Sequence, residues 1–380
     1  MFNTINIIIF LIISLLALIP LLFLVDRYNF IHLHQNRIST IDGLRGYLAI
    51  GVFTHHFVVT HNWYLTGNWH SPSENFLNNI GQASVAIFFM ITGYLFSRKI
   101  KYNDFEVRRF FIKRFFRLMP ILYFSIAIIV FIVFYKQNFK LHDTIFHNFA
   151  HILEWMVFLR PDINGLKDTA IINAGVTWTL MYEALFYLSL PIIFYAKKIR
   201  IILIALLILI LYAGMKNLYI NLVYTKVHGI FFILFFIGYI VSEIEIRYKH
   251  RYNFDNNFIS IINVLLILFA LFYFKNSYNI LSFLILGTIF AFVVLGNSLF
   301  GLLKHKYSKI LGEISYSIYL LHGIVLFIVF NLIFKKAPSL YQMPIVLFLA
   351  IFISILTFKY IENPLNEFGH KLSKRVKVIK

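Results

Sequence analysis

Along this chain, long apolar stretches alternate with short polar ones. Apolar runs near the length that crosses a bilayer occur at about 5–25, 43–61, 82–97, 118–135, 177–196, 200–214, 228–243, 257–274, 278–299, 311–334 and 343–360. Each reads as a helix, the one at 200–214 being the shortest. The expected fold is therefore all-α, a polytopic transmembrane helical bundle of about 11 helices. No internal repeat and no low-complexity segment interrupts the pattern, so a single integral membrane domain is the economical reading.

Composition agrees with that pattern. The 380 residues are 60% hydrophobic and include 44 Phe, more apolar surface than a soluble globule with a polar exterior can hide. There are no cysteines, which excludes a disulfide framework and a thiolate metal site. The first run, Ile7 to Val25, is followed by "DRYNFIHLHQNR" and by no small-residue cleavage site, so it reads as a retained span rather than a signal peptide.

Charge turns the pattern into a topology. The formal net charge is +19, which in a soluble protein would suggest nucleic acid, but here the basic residues gather at the ends of apolar runs. With Met1 outside, nine of the 35 Lys and Arg fall on the outside (136, 140, 160, 167, 216, 226, 275, 335 and 336) and the other 26 inside. That asymmetry follows the positive-inside rule and fixes the expected orientation: N-terminus outside, C-terminus cytoplasmic. No nucleic-acid partner is expected.

Within this frame a few polar residues stand in costly places. In "IDGLRGYLAIGVFTHHF" (41–57), Arg45 and His56 are eleven residues apart, hence about 20° off one line and roughly 16 Å apart along a helix. Arg45 falls at the cytoplasmic edge, where an interfacial anchor would also sit. His56 lies in the outer half, where an ionisable group is expensive and usually functional, with helix packing as the plainer alternative; His55 points elsewhere. In "FIKRFFRLMPILYF", Arg114 and Arg117 share a face at the cytoplasmic start of a span and could grip a phosphate, whereas Arg108, Arg109 and Lys113 read as topology-setting charge.

Two further segments carry similar signals. Glu183, in "VTWTLMYEALFYLSLP" (176–191), lies about seven residues into its span, at a depth close to that of His56; it reads as orienter or co-base of that imidazole, or else as an acceptor for Trp178 or Tyr182. In "LGEISYSIYLLHGIVL" (311–326), Ser315, Tyr319 and His322 line one face, either of the same cavity, with Trp178, or of a helix contact. His147 and His151 stand one turn apart in the longest outside segment, but neither an HExxH pattern nor a third ligand accompanies them, so no metal is expected and the helix reads as surface-lying or lid-like. Together these features describe a tunnel: arginines at a cytoplasmic mouth and an imidazole some 16 Å deeper, a length that suits a phosphorylated donor with a slender reactive arm such as acyl-coenzyme A. The rival class is a secondary transporter or flippase for a glycan or lipid precursor.

The same segments closely resemble the acyltransferase-3 family of bacterial membrane acyltransferases. "IDGLRGYLAIGVFTHHF", "GQASVAIFFMITGYLFSRKI" (81–100), "RFFR" (114–117), "TWTLMYE" (177–183), "GEISYSIYLLH" (312–322) and "YIENPL" (360–365) follow one another as the family's blocks do, with Thr92 and Tyr94 where Ser and Phe are more usual. The resemblance implies a ten-helix core over 39–365, preceded by an extra N-terminal helix and linker (1–38) and followed by a basic cytoplasmic tail (366–380). It further implies an inner-membrane O-acetyltransferase that takes the acyl group of acetyl-CoA to a hydroxyl of a surface polysaccharide or lipid-linked glycan. On this reading Arg114, Arg117 and Arg45 bind the coenzyme A phosphates, and His56, aided by Glu183, either deprotonates an acceptor hydroxyl directly or takes the acyl group first. The fused extracellular esterase-like domain of some members has no counterpart here, which leaves room for a separate periplasmic partner.

Overall fold

The computed structural model describes residues 3–33, 38–101, 106–195, 219–222, 225–249 and 251–376. The described residues are predominantly helical, as a backbone immersed in lipid must be to satisfy its own N–H and C=O groups. Six described helices are long and apolar enough to cross a membrane: Thr4–Arg27, Asn75–Arg98, Val107–Lys136, Gly229–Tyr248, Ser315–Ile333 and Leu340–Arg375. Asn257–Phe272 and Ile280–Val294 are apolar but shorter. The predicted run at 200–214 lies outside the described residues. Runs and helices do not correspond one to one, because several runs are broken. Among the described residues one short antiparallel hairpin departs from the all-α expectation, β1 (Tyr219–Leu222) paired with β2 (Thr225–His228).

The fold consists of two compact units, each assembled from separated segments of the chain. The first comprises 1–98, 234–319 and 328–355. It opens with α1 (Thr4–Ala17) and α2 (Ile19–Arg27), broken at Leu18, where Pro20 has no N–H to give the carbonyl four residues back. This pair buries little and presents Ile5, Ile9, Ile12, Leu16, Phe23 and Leu24 outward. It is pinned at both ends: the Thr4 N–H donates to Glu74 at 2.8 Å, and Lys306 donates to Asp26 at 2.5 Å. Next come α3 (Ser39–Thr66) and α4 (Asn75–Lys101), the latter tied by Asn79 and Gln82 to Ser277. After α8 (Phe232–Tyr248), α9 (Asn257–Phe272) and α10 (Ile280–Val294) are opened by Asn256 and Asn279, whose side chains accept from the third residue on.

What brings α3 close to α11 (Lys306–Glu313) is the absence of side chains. A Cβ on Gly312 would lie 1.9 Å from the carbonyl oxygen of Asp42, and one on Gly43 would lie 2.1 Å from that of Leu303. Small residues at such crossings let backbones touch where lipid supplies no hydrophobic drive. The segment from α12 (Ser315–Phe327) runs into a π-turn at Ile328–Ile333, and α13 (Met343–Thr357) into another at Phe358–Glu362. The second precedes Pro364, whose missing N–H and bulky ring displace the helical ladder at this point.

The second unit comprises 99–233, 320–327 and 356–380. It contains α5 (Val107–Lys136), α6 (Ile145–Met156), a 3-10 turn (Thr169–Asn173), α7 (Trp178–Tyr195) and α14 (Asn363–Arg375). The basic tail expected from 366 is helical to Arg375, and this helix packs on α5 through Gly369 against Phe116 and an edge contact of Phe116 with Phe368 at 5.2 Å. α6 is amphipathic. Ile145, Phe146, Phe149 and Leu153 are exposed, while Trp155 is buried and donates its indole N–H to the Pro161 carbonyl at 2.9 Å.

Candidate active site

The first unit carries Arg45 and His56 on α3. Their spacing places them on one face of the continuous helix, roughly 16 Å apart. Arg45 is mostly buried and lies 3.9 Å from Asp42 one turn before it, so part of its charge is already answered within the helix. His56 is half-buried; its ring stacks near Trp69 at 6.2 Å and 23°, and Trp69 meets Trp63 edge-on at 5.9 Å. Trp63 is seven residues past His56 and hence back on the Arg45–His56 line. The imidazole thus faces an aromatic cap. His55 is used differently: its Nδ1 lies 2.9 Å from the Leu77 carbonyl, and its ring fills the space a Cβ on Gly81 would need.

The second unit holds Arg114, Arg117, Trp178, Glu183 and His322. Glu183, five residues past Trp178 on α7, accepts from the Tyr187 hydroxyl at 3.1 Å. Arg114 of α5 lies over the Tyr187 ring at 5.7 Å and feels the charges of both Arg117 and Glu183. Tyr187 therefore joins two residues that the sequence pattern left separate. Arg117 is half-buried, and among the described residues no carboxylate pairs with it. Trp178 packs edge-on to Tyr182 at 5.6 Å, and Tyr182 accepts from the His228 backbone at 2.8 Å. His56 and Glu183, expected as partners, belong to different units.

Along the run at 311–326, Ser315 is buried and donates to the Gly312 carbonyl at 2.8 Å, closing the break between α11 and α12. Tyr319 is buried with its ring 6.0 Å from Phe88. His322 is fully buried in the second unit, next to Gly323, which abuts Asn173 so closely that a Cβ would lie 2.3 Å from its carbonyl carbon.

Sequence reasoning missed Trp69, Tyr187, Asn173 and Thr177. The entry to α7 is strained: Ala174 and Gly175 are both left-handed, at φ 57° and 68°, and a non-glycine residue held there costs free energy that functional sites tend to retain. Beside this turn Asn173 Nδ2 and Thr177 Oγ1 are buried without a hydrogen-bond partner among the described residues. Orphan buried polar atoms are uncommon enough to require an explanation. Thr177 opens the segment 177–183; the strain and the orphaned atoms leave no trace in its letters.

Compared with models of known families, residues 38–361 match the acyltransferase-3 family, described as an acyltransferase domain. The chain belongs to the acyltransferase-3 family. Neither a curated protein nor a solved structure matches it. This acyltransferase-3 protein is an integral membrane acyltransferase, in keeping with its apolar helices. One departure from the family's usual residues has a local explanation in it. The hydroxyl of Tyr94, where Phe is more usual, donates to the buried Glu245 at 2.6 Å, and Glu245 also holds Lys249 at 2.6 Å and Arg98 at 3.5 Å. A phenylalanine there would leave a buried carboxylate one donor short.

Proposed function

We propose that this acyltransferase is an O-acetyltransferase of the inner membrane, spanning it eleven times with its N-terminus outside, and that it moves an acetyl group from cytoplasmic acetyl-CoA to a hydroxyl of a surface polysaccharide or lipid-linked glycan. The observation that carries this reading is α3. Arg45 and His56 share one face roughly 16 Å apart, within a family that transfers acyl groups. Arg117, lacking a carboxylate partner among the described residues, and Arg114 supply charge for the coenzyme phosphates, with Arg45 as a further cation.

In the reaction, His56 removes the proton of the acceptor hydroxyl as its oxygen attacks the thioester carbonyl. The carbon–sulfur bond then breaks, the coenzyme leaves as a thiolate and takes the proton back from the imidazolium. The products are an ester and free coenzyme A. Glu183 is required as the charge that holds Tyr187 and Arg114 in place. The deciding experiment compares acetylation of surface glycan in three strains, one with the gene, one without it, and one complemented with His56→Ala. Loss of acetyl groups in the second and third, at normal protein levels, is expected; unchanged acetylation in the gene-deleted strain would remove the proposal. Glycan precursor accumulating unmodified on the cytoplasmic side would favour a flippase instead.

A further inference from the structure

Just before α6 a carboxylate stands beside the two histidines that the sequence pattern left without a third candidate ligand. Asp143, His147 and His151 each offer an atom within 4.8 Å of the other two. The His147 ring donates from Nδ1 to Asp143 Oδ2 at 2.6 Å, the two imidazole centroids are 4.0 Å apart, and His151 Nδ1 is buried with no hydrogen-bond partner among the described residues.

Asp143 is held for this position from several directions. Its second oxygen accepts from the Thr144 N–H at 2.8 Å, and its own backbone N–H donates to the Asn164 side-chain oxygen at 3.2 Å. Asn164 is fully buried and also receives the His142 N–H at 2.9 Å and the Asn148 side chain at 3.2 Å, while donating to Gln137 and to the Lys140 carbonyl. Such outer contacts fix a ligand before a metal arrives. The negative charge also offsets the positive end of α6, which would otherwise repel a cation. On a helical wheel the histidines at 147 and 151 fall at least about 80° outside the sector of Phe146, Phe149 and Leu153, so an aqueous ion reaches them when that apolar face meets lipid.

We infer that Asp143, His147 and His151 form a binding site for one divalent transition-metal ion of the zinc class. Two imidazole nitrogens and one carboxylate exclude the hard, oxygen-seeking magnesium and calcium ions as preferred occupants. Bonds of about 2.0–2.2 Å in tetrahedral geometry set ligand atoms about 3.4 Å apart, so the His147–Asp143 pair at 2.6 Å opens and the wider separations, within 4.8 Å, close, by rotations of the exposed His147. Three protein ligands leave a fourth position for water or an oxygen of another molecule. Binding displaces the proton between His147 and Asp143.

The test uses the full-length protein in detergent, carrying an affinity tag without histidine, titrated with Zn²⁺ against a chromophoric chelator and separately with Co²⁺. Expected are one ion per chain, the intense visible bands of tetrahedral Co²⁺, and affinity lowered at least about tenfold in His147→Ala and in His151→Ala. His142→Ala, an exposed neighbour outside the cluster, is expected to bind like the parent. No stoichiometric binding, or equal binding by the parent and both ligand variants, overturns the inference. Should either alanine variant fail to fold, the isosteric Asp143→Asn decides: weakened binding supports the site and undiminished binding overturns it.

Discussion

Two adjacent imidazoles on α3 answer differently to truncation because their surroundings differ. His55→Ala removes a ring packed on Gly81 and leaves the Leu77 carbonyl without its partner, a loss of about 1–3 kcal/mol of stability, while transfer continues. His56→Ala is expected to lower transfer at least about a hundredfold, the usual worth of a positioned base, with thermal unfolding little changed; a variant that still transfers at the parental rate refutes the assigned base. Arg117→Ala is the cleaner test of the proposed coenzyme site, since Arg114 is also engaged by Tyr187 and Glu183. Its loss is expected to weaken coenzyme A binding by about 1.5–3 kcal/mol, as for a charge-assisted contact, and Lys113→Ala by far less; calorimetric titration that gave equal losses would reduce Arg117 to a topology signal. Thr177→Val exchanges an orphaned hydroxyl for a methyl group. Melting temperature should rise, because an unpartnered buried hydroxyl costs about 1–3 kcal/mol, while turnover falls, the trade expected where strain is kept for function.

At the scale of elements the contact between α3 and α11 is the sharpest dependence. A Cβ at Gly312 would collide with the Asp42 carbonyl at 1.9 Å, and backbone cannot yield as a side chain can. Gly312→Ala is therefore expected to cost at least about 1–3 kcal/mol, the range for overpacking, and to disturb Arg45, three residues past Asp42; unfolding in detergent and coenzyme affinity both report it. Much of this level was legible in the letters. Apolar runs mark where helices lie because lipid leaves the backbone no alternative, and the eleven-residue spacing of Arg45 and His56 survives as geometry on one unbroken helix. Less legible was anything made by chain return. Trp69 reaches His56 from a loop, and Asp143 joins His147 and His151 from just before the helix start, where a motif template for two histidines does not look. The π-turn at Phe358–Glu362 goes with Pro364, and no periodicity announces either π-turn.

For the whole molecule, the orientation proposed from the charge asymmetry, with Arg114 and Arg117 at the cytoplasmic face and His56 in the outer half, makes the proposed transfer two-sided. In vesicles of known orientation, labelled acetyl-CoA on the cytoplasmic face is expected to yield labelled acceptor on the opposite face, with coenzyme A remaining where it was added. Label appearing only when both substrates share the cytoplasmic face would refute sidedness and leave the reaction class intact. The N-terminal pair α1 and α2 adds a consequence of another kind. It is clasped at Thr4 by Glu74 and at Asp26 by Lys306, and 22 helical residues measure about 33 Å, close to the roughly 30 Å hydrocarbon core of a bilayer. Held at both ends, this outward-facing helix is a ruler: a membrane much thinner strains its clasps, and a thicker one leaves its ends submerged. Reconstituted in lipids of graded chain length, the protein should be most stable near that thickness, and cutting either clasp, by Glu74→Ala or Lys306→Ala, should flatten the optimum.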